Sequence, residues 1–339
     1  MPALDTLVHA IGPHGFGLMP GSGLFLHARP HPGLRGWDSL TGWQPWCHHA
    51  AAWENDARPR ADSPHGRWPL VLALPGKSRD ETLATFATAH DLLAPGGVLV
   101  AALANDSGAA RFEKQLAAAA GNIESIQKNK CRAFLARLDQ PWDAETLAAW
   151  RALAAPKQVP GTSFLTIPGV FSDGRVDPGS ALLAGHVPPS LHGRVADLGA
   201  GWGFLSHAIL SKCPRVPVLD LYEADARALD LARQNLACVA GEHPRCQVGF
   251  HWHDVAAGLP DPGSYDAVVM NPPFHEGRRT DVALGEAFLT AAADALRPGG
   301  TLAMVANRQL PYEAVLARLG MRPDVRHQDA VYKIITARR

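Results

Sequence analysis

The second half of the chain alternates between short apolar runs and segments whose apolar side chains recur with helical spacing. Strands are predicted over residues 193–200, 216–223, 247–254, 265–270, 301–306, 323–327 and 331–336, and helices over residues 204–213, 225–240 and 284–296. Short connections between these elements predict a mostly parallel sheet with helices on both faces, ending in an antiparallel hairpin. Pro217 suggests that the second of these strands begins near a sheet edge.

The first half contains a weak copy of this pattern. At an offset of about 200 residues, HDLLAPGGVLVAALAND (90–106) matches ADALRPGGTLAMVANRQ (293–309), PLVLAL (69–74) matches YDAVVM (265–270), and KCRAFLARL (130–138) matches VYKIITARR (331–339). A Pro-Gly-Gly turn alone recurs in many α/β proteins, but three ordered matches indicate duplication of a whole domain. We therefore predict two α/β domains, residues 1–157 and 158–339, joined near residues 155–161. Residues 33–66 receive no assignment.

Composition narrows the class of protein. Hydrophobic residues make up 47% and charged residues 19% of the chain, which is typical of globular domains and not of disorder. No apolar run is long enough to cross a bilayer, and the amino-terminal segment lacks the pattern of a secretion signal. The 5 scattered cysteines contain no Cys-x-x-Cys motif and favour a reduced, cytoplasmic setting.

Charge gives little support for nucleic-acid binding. The 32 basic and 32 acidic residues balance, so contact with RNA would depend on local patches. The candidate patches are Arg278 with Arg279, Lys128 with Lys130 and Arg132, and Arg338 with Arg339. Taken alone, each patch is more often a solvated surface.

A glycine-rich turn follows the first strand of the second half. The segment VADLGAGWGFLS has the spacing D-x-G-x-G-x-G, which begins at Asp197 and includes Gly199 and Gly201. Glycines let the backbone turn tightly and approach a ligand, and ligands of open α/β sheets bind beyond the carboxyl ends of the strands. The dinucleotide fingerprint requires a glycine where this chain has Phe204, which disfavours a nicotinamide or flavin enzyme.

Acidic residues end the next two strands. Glu223 can accept hydrogen bonds from both ribose hydroxyls of an adenosine, and Asp254 can accept one from the adenine amino group. Each acid alone is more often a cap, and Asp254 in particular can cap a following turn. Together with Asp197, they stand at three successive strand ends, which indicates a nucleoside-binding edge.

The motif Asn271-Pro272-Pro273-Phe274 follows the fourth strand. Prolines fix φ and remove N–H donors, so the Pro272 carbonyl and the Asn271 side-chain oxygen can face the site as acceptors. Two acceptors that bind both hydrogens of a planar amine orient its delocalised lone pair towards an electrophilic methyl group. Phe274 offers a face on which a flat base can stack. The alternative is a rigid turn without chemistry.

Metal and base catalysis receive little support from the sequence. His251 and His253 share a strand face, but a third ligand is not evident, so we predict no metal site. His275 follows the transfer motif and can act as a general base, although methylation of an amine does not require one.

These features together resemble the class I S-adenosylmethionine-dependent methyltransferases, and more narrowly the ribosomal RNA guanine-N2 methyltransferases of the RsmC type. The resemblance runs from Pro168 to Arg339. It includes the segments PGVFSDGRVDPGSALL (168–183), DLGAGWG (197–203), NPPFHEG (271–277) and VANRQLPY (305–312). Members of this family are tandem duplications whose amino-terminal copy has lost cofactor binding. In the first half, Pro75-Gly76-Lys77 stands where the second half has Asn-Pro-Pro, which fits a degenerate copy.

The resemblance implies two Rossmann-like methyltransferase domains, a non-catalytic one over residues 1–157 and a catalytic one over residues 158–339. It implies methyl transfer from S-adenosylmethionine, with S-adenosylhomocysteine as product, to guanine N2 in ribosomal RNA, with the small subunit favoured. The implied cofactor residues are Asp197, Gly199, Ala200, Gly201, Glu223, Asp254 and Asn271, and the implied catalytic residues are Asn271, Pro272 and Phe274. The upstream segment with Phe171, Asp177 and Ser180 would cover the cofactor. The expected partner is ribosomal RNA or a ribosomal subunit in the cytoplasm, without a membrane or metal, and a monomer is the default.

Three other functions remain open at this stage. A protein-glutamine N5 methyltransferase would use the same motif on an amide, although that group more often has Tyr after the prolines and a helical amino-terminal domain. A DNA adenine N6 methyltransferase would also fit the motif. A non-catalytic RNA-binding or ribosome assembly protein with a vestigial site is the alternative from another class, and Asp197, Glu223 and Asn271 argue against it.

Overall fold

The computed structural model describes residues 1–273, 275–276, 279–280 and 282–339. The chain folds as two compact units. Unit 1 comprises Met1–Pro156 and Ile167–Gly169, and unit 2 comprises Lys157–Thr166 and Val170–Arg339. Within the described ranges, no helix is both long and apolar enough to cross a membrane.

Unit 1 is built on a mixed six-stranded sheet. Its strands are β1 (Gly23–Leu26), β2 (Leu40–Trp43), β3 (Trp68–Ala73), β4 (Leu93–Ala104), β5 (Ile123–Lys128) and β6 (Cys131–Arg137). Its helices are α1 (Pro2–Ile11), α2 (Cys47–Asn55), α3 (Arg79–Leu92), α4 (Ala109–Ala120) and α5 (Ala144–Ala154). The strand order is β2-β1-β3-β4-β6-β5, in which the first four run parallel and β6 runs antiparallel to both of its neighbours.

Unit 2 is built on a seven-stranded sheet with two short ribbons beside it. Its strands are β7 (Lys157–Gln158), β8 (Leu165–Thr166), β9 (His192–Leu198), β10 (Arg215–Glu223), β11 (Gln247–Trp252), β12 (Tyr265–Met270), β13 (His275–Glu276), β14 (Arg279–Thr280), β15 (Leu296–Asn307), β16 (Arg322–Gln328) and β17 (Tyr332–Arg338). Its helices are α6 (Pro178–His186), α7 (Phe204–Lys212), α8 (Ala226–Glu242), α9 (Val282–Ala295) and α10 (Tyr312–Arg318). The main sheet has the order β11-β10-β9-β12-β15-β17-β16, with β17 antiparallel to β15 and β16.

The central strands of unit 2 are apolar because helices cover both of their faces. Val268, Val269 and Met270 of β12 are fully buried, and they divide between two apolar clusters that lie on opposite faces of the sheet. Asp177 and Asp225 begin the helices α6 and α8 by accepting hydrogen bonds from backbone N–H groups within the first turn. The carboxyl ends of β9 and β12 therefore meet at one edge of a rigid, covered sheet.

The predicted α/β architecture is confirmed, including the parallel sheet and the closing antiparallel hairpin of β16 and β17. The start of β10 lies near an edge, as Pro217 predicts, because its pairing with β11 begins only at Val218, although β10 as a whole lies between β9 and β11. Pro217 is accommodated by a register shift in the pairing of β9 and β10 between Arg215 and Val218. The unassigned residues 33–66 contain β2, which is an edge strand, and α2.

The two sheets share one topology. Without β11, the order in unit 2 reads β10-β9-β12-β15-β17-β16, which matches β2-β1-β3-β4-β6-β5 strand for strand. The Pro-Gly-Gly turns of the two units form equivalent hydrogen bonds. Gly96 N donates to the Leu138 carbonyl at 2.8 Å, and Gly299 N donates to the Arg339 carbonyl at 3.0 Å.

The sheet register corrects the alignment of the transfer motif with the first half. When the Pro-Gly-Gly turns are superposed, the pair Ala73–Ala101 corresponds to the pair Met270–Met304. The counterpart of Asn271 is therefore Leu74, and the expectation that Pro75 stands there is wrong by one residue. A sequence match of two apolar runs cannot fix such a shift, since either register keeps the runs apolar.

Candidate active site

The glycine-rich turn between β9 and α7 follows a tight path. Gly199, Gly201 and Gly203 have φ values of 73°, 54° and 90°, a region that bulky side chains rarely adopt. The N–H groups of Gly199 and Ala200 both donate to the Tyr222 carbonyl, at 2.9 and 3.1 Å. A Cβ atom at Gly201 would meet no heavy atom within 4 Å, so open space lies beside the turn.

Asp197 lies under this turn near the end of β9. Its side chain is fully buried, and Oδ2 accepts a hydrogen bond from Ser206 Oγ at 2.7 Å. Oδ1 is also buried and has no hydrogen-bond partner among the residues that the structure describes. Burial raises the pKa of this carboxyl group to about 6. A buried acceptor without a partner, beside an open turn, fits a ligand that brings an N–H or O–H donor.

Glu223 ends β10 and is bonded to the same turn. Its Oε2 accepts from Gly201 N and its Oε1 from Asp225 N, both at 2.8 Å. Burial raises the pKa of Glu223 to about 7, although these backbone hydrogen bonds favour the ionised form. Each carboxylate oxygen has a further lone pair, so ionised Glu223 can hold the turn and accept hydroxyl groups of a ligand at once.

Asn271 follows β12, and its amide group is held in one orientation. Its Nδ2 donates to Asp177 Oδ1 at 2.9 Å and to Ser180 Oγ at 2.8 Å. Because both amide hydrogens are used, Oδ1 is the side-chain atom that Asn271 offers to a ligand. This orientation is compatible with the acceptor role predicted for Asn271, which stays a prediction.

One pocket brings most of the predicted cofactor residues together. It is lined by Phe171, Ser172, Asp177, Ser180, Gly199, Ala200, Gly201, Trp202, Phe204, Leu205 and Asn271. The buried Trp202 connects two sides of this pocket, because its Nε1 donates to the Phe171 carbonyl at 3.1 Å. Trp202 was not predicted as a site residue, because its only signal in the sequence is its position between two glycines.

Asp197 and Glu223 do not line the pocket themselves but bind Ser206 Oγ and Gly201 N next to it. Two further predicted residues also stand apart from it. Asp254 caps the short 3-10 helix Val255–Ala257 by accepting from Ala256 N at 3.0 Å, which is the alternative role that the sequence offered, and it does not line the pocket. Phe274 lies outside the described residues, whereas Pro272 is buried at the end of β12. The stacking role predicted for Phe274 stays a prediction.

The two strand histidines contact protein groups. His251 Nε2 lies 2.8 Å from Asp220 Oδ1, and His253 Nε2 lies 2.6 Å from the Gly258 carbonyl. In the part of the chain that the structure describes, no group of three or more His, Cys, Asp or Glu residues is arranged to hold a metal ion. These contacts give both histidines a structural role.

The basic patches found in the sequence are partly used within the fold. Arg132 forms an ion pair with Glu113. Arg338 Nε lies 3.4 Å from the Gly299 carbonyl, and Arg339 Nη1 donates to the Asp294 carbonyl at 2.9 Å. Arg278 lies outside the described residues, and the side chain of Arg279 is not described either.

Two other arginines, which were not predicted from the sequence, belong to segments that adjoin the pocket. Arg175 and Arg308 are exposed, and neither side chain has an ion pair or hydrogen bond within the described ranges. Burial and the nearby carboxylates raise the pKa of Tyr332, and the positive charge of Arg175 opposes this rise. Arg308 N donates to the Val331 carbonyl at 2.8 Å. The Arg175 charge and the Arg308 backbone are thus both close to Tyr332 and its neighbour Val331, and the Tyr332 ring is close to Gly179 at the start of α6.

Comparison with known proteins assigns this site to a family. Residues 161–336 match the model of the methyltransferase small domain. The ribosomal RNA small subunit methyltransferase C of Pseudomonas aeruginosa (strain LESB58) is 32% identical over 307 residues, which cover 87% of this chain and 89% of that protein. The protein of the same name from Psychromonas ingrahamii is 30% identical over 270 residues, which cover 79% of this chain and 74% of that protein.

A solved structure gives the same result for the fold. The T. thermophilus 16S rRNA N2 G1207 methyltransferase (RsmC), in complex with AdoMet and guanosine, superposes with a TM-score of 0.79 at 25% identity, over 100% of this chain and 92% of that one. The similarity spans both units, and the family model covers the half that holds the pocket. The chain therefore belongs to the methyltransferase small domain family and, within it, to the ribosomal RNA small subunit methyltransferase C proteins.

Proposed function

We propose that this chain transfers the methyl group of S-adenosylmethionine to the exocyclic N2 amine of a guanine in small-subunit ribosomal RNA. The observation that carries the proposal is the fixed amide of Asn271, whose oxygen is left as an acceptor at the wall of the cofactor pocket. The curated relatives are named ribosomal RNA small subunit methyltransferases, and the T. thermophilus 16S rRNA N2 G1207 methyltransferase structure contains AdoMet and guanosine. The proposed substrate would place the enzyme in the cytoplasm, with a ribosomal subunit as its partner.

The residues present fit the cofactor. The turn with Gly199 and Gly201 lets the backbone come close to the cofactor, and Glu223 supplies acceptors for the ribose hydroxyls. The unpaired oxygen of Asp197 can accept a hydrogen bond from a donor of the cofactor. S-adenosylmethionine supplies an electrophilic methyl group on a sulfonium. The role of Asp254 towards adenine remains a prediction from the sequence.

The chain's own contribution to transfer is orientation of the amine. Asn271 Oδ1 and the Pro272 carbonyl would each accept one N2 hydrogen and so direct the nitrogen lone pair towards the methyl carbon. The nitrogen–carbon bond forms as the sulfur–carbon bond breaks, and the proton leaves the alkylated nitrogen for solvent. No strong base is needed, because the alkylated nitrogen is acidic.

The activity is tested by incubating the purified chain with S-adenosylmethionine and either small subunits or free 16S RNA that lack the modification. We expect N2-methylguanosine in the nucleoside digest by mass spectrometry, at one position. N6-methyladenine in DNA or N5-methylglutamine in protein would instead support one of the other amine-directed functions.

We also propose that unit 1 is a degenerate copy that does not bind the cofactor. When the sheet registers of the two units are superposed, the acceptors Asp197, Glu223 and Asn271 correspond to Phe25, Gln44 and Leu74. Gly199 of the turn corresponds to His27. The path of the turn is retained, since Ala28 N donates to the Trp43 carbonyl just as Ala200 N donates to the Tyr222 carbonyl, at 3.0 and 3.1 Å. The backbone is thus conserved between the units while the ligand-binding side chains are not.

A degenerate unit 1 predicts one cofactor site per chain. Titration calorimetry of the full chain with S-adenosylhomocysteine should give a stoichiometry of one, and exchange of Phe25 for Asp should not add a second site, because Leu74 and Gln44 remain. A stoichiometry of two for the wild-type chain would overturn the proposal.

Arg175 and Arg308 are proposed to contact phosphates of the RNA that flank the target guanine. Unpaired, exposed guanidinium groups beside a pocket are suited to bidentate contacts with phosphate. Replacing both with Ala should weaken RNA binding. It should also reduce the steepness of the salt dependence, which is the slope of log K against log salt concentration, by roughly 1.4 to 1.8. Cofactor affinity should stay the same.

The chain offers a matched control for this pair. Arg245 and Arg322 are also exposed and unpaired among the described residues. They lie just before β11 and at the start of β16, at the amino ends of the parallel strands and away from the carboxyl ends that form the pocket. Their double replacement with Ala removes the same charge and should leave the salt dependence close to that of the wild type. Equal effects of the two pairs would show that net charge alone governs RNA binding.

A further inference from the structure

The transfer residue Asn271 is held by two side chains that are distant in sequence. Asp177 and Ser180 accept its two amide hydrogens at 2.9 and 2.8 Å, across sequence separations of 94 and 91 residues. Both acceptors belong to the first turn of α6, where Asp177 Oδ1 also accepts from Ser180 N at 2.8 Å. The cap of one helix is thus also the support of the transfer residue.

An asparagine amide can present either its oxygen or its nitrogen to a ligand, because the two ends have nearly the same shape. The flipped amide would direct two N–H donors towards an amine that must itself donate, and would place Oδ1 against the Asp177 carboxylate. The negative charge of Asp177 therefore selects the orientation in which Nδ2 of Asn271 faces Asp177. Ser180 Oγ accepts the second hydrogen of the same amide. The selected orientation is the one that can bind an amine.

We propose that Asp177 and Ser180 are positioning residues that hold Asn271 as an acceptor and so restrict transfer to an amine. This inference rests on the proposed function for its kinetic consequence. The positioning itself is a property of the protein and can be measured without RNA.

Asp177 has two roles, since it caps α6 and it accepts a hydrogen bond from Asn271, and the variants must distinguish between them. Asp177→Ser retains a good N-cap but is one bond too short to reach Asn271, whereas Asp177→Asn retains an acceptor oxygen for both roles. Ser180→Ala removes the second acceptor while leaving the backbone N–H of the cap. Asp143 caps α5 in the same manner, accepting from Thr146 N at 2.8 Å, and Asp143→Ser is the matched control in unit 1.

We expect Asp177→Ser and Ser180→Ala each to lower kcat by about ten- to a hundredfold, with the KM for S-adenosylmethionine within threefold of wild type. Asp177→Asn should recover most of the lost kcat, and Asp143→Ser should have no effect on it. In an Asn271→Ala background, Asp177→Ser should cost nothing more, since a positioning residue acts only through the group it positions. A full multiplicative loss in that background would overturn the proposal.

The side-chain amide of Asn271 gives a second readout that does not depend on catalysis. In a nitrogen–proton correlation spectrum of the protein alone, the Asn271 pair of signals, assigned by its loss in Asn271→Ala, should be sharp and slow to exchange with water in the wild type and in Asp177→Asn. It should broaden or exchange quickly in Asp177→Ser. If the signals are unaffected, the positioning proposal fails; if they respond but ribosomal RNA is not methylated, only the proposed function fails.

Discussion

Asn271→Ala should lower kcat for RNA methylation by about 100- to 1,000-fold, as for loss of one preorganised polar group at a reacting centre. The variant loses the acceptor that orients the amine, while the glycine-rich turn, Glu223 and Asp197 keep their own hydrogen bonds. Cofactor affinity should therefore stay within several-fold of the wild type. The measurement is single-turnover methylation of small subunits, combined with calorimetric titration of the cofactor.

The control for this variant is Asn122→Ala, which removes an exposed asparagine of unit 1. It should leave both kcat and cofactor affinity unchanged. A kcat for Asn271→Ala near that of the wild type would contradict the proposed orientation of the amine. An equal loss of kcat and of cofactor affinity would mean that Asn271 acts mainly on the cofactor.

The sequence predicts those parts of the site that depend on local backbone chemistry. The turn from Asp197 to Gly203 could be found because positive φ values require glycine, and Asn271 could be found because two prolines follow it directly. The mostly parallel sheet and its closing hairpin could be inferred because short connections leave few ways to arrange alternating strands and helices.

The parts that depend on contacts between distant segments could not be derived in the same way. Asp177 reaches Asn271 only because α6 begins beside the end of β12, and no local pattern encodes that distance. The freedom of Arg175 and Arg308 is equally invisible in sequence, since it depends on which acids lie nearby. Adjacent basic residues such as Arg338 and Arg339 stood out in the sequence, but the fold uses them to bind backbone carbonyls.

Glu223→Gln should lower cofactor affinity by about 100-fold without unfolding the protein. Gln44 of unit 1 shows the structural consequence, because it occupies the corresponding strand end and still accepts from Trp46 N at 3.2 Å. Its other end donates to the Ala28 carbonyl at 3.0 Å, where Glu223 accepts from Gly201 N. Glutamine thus keeps the strand end in place but turns one acceptor into a donor. A ribose hydroxyl that Glu223 would accept then loses its partner, which costs about 1–3 kcal/mol of cofactor binding.

The same variant should remove a pH dependence. Burial raises the pKa of Glu223 from 4.5 to about 7. The unfolded carboxyl group ionises first as pH rises, so the free energy of unfolding of the ligand-free protein should fall between these two values. The pH dependence of cofactor affinity should be opposite, because only the ionised form of Glu223 accepts the ribose hydroxyls. Affinity should therefore rise with pH by at most tenfold per pH unit and level off above about pH 7.

Calorimetry in buffers of different ionisation enthalpy separates these contributions. At pH 6, Glu223 with a pKa of about 7 should release about 0.9 proton on binding S-adenosylhomocysteine, and Asp197, whose pKa burial raises to about 6, about 0.5 more. The wild type should therefore release roughly 1.4 protons and Glu223→Gln only the roughly 0.5 assigned to Asp197. Glu145→Gln, on the exposed first turn of α5, should behave as the wild type. If the wild type releases no proton, Glu223 is already ionised before the cofactor binds. The hydrogen bond from Gly201 N would then be enough to stabilise the ionised carboxylate.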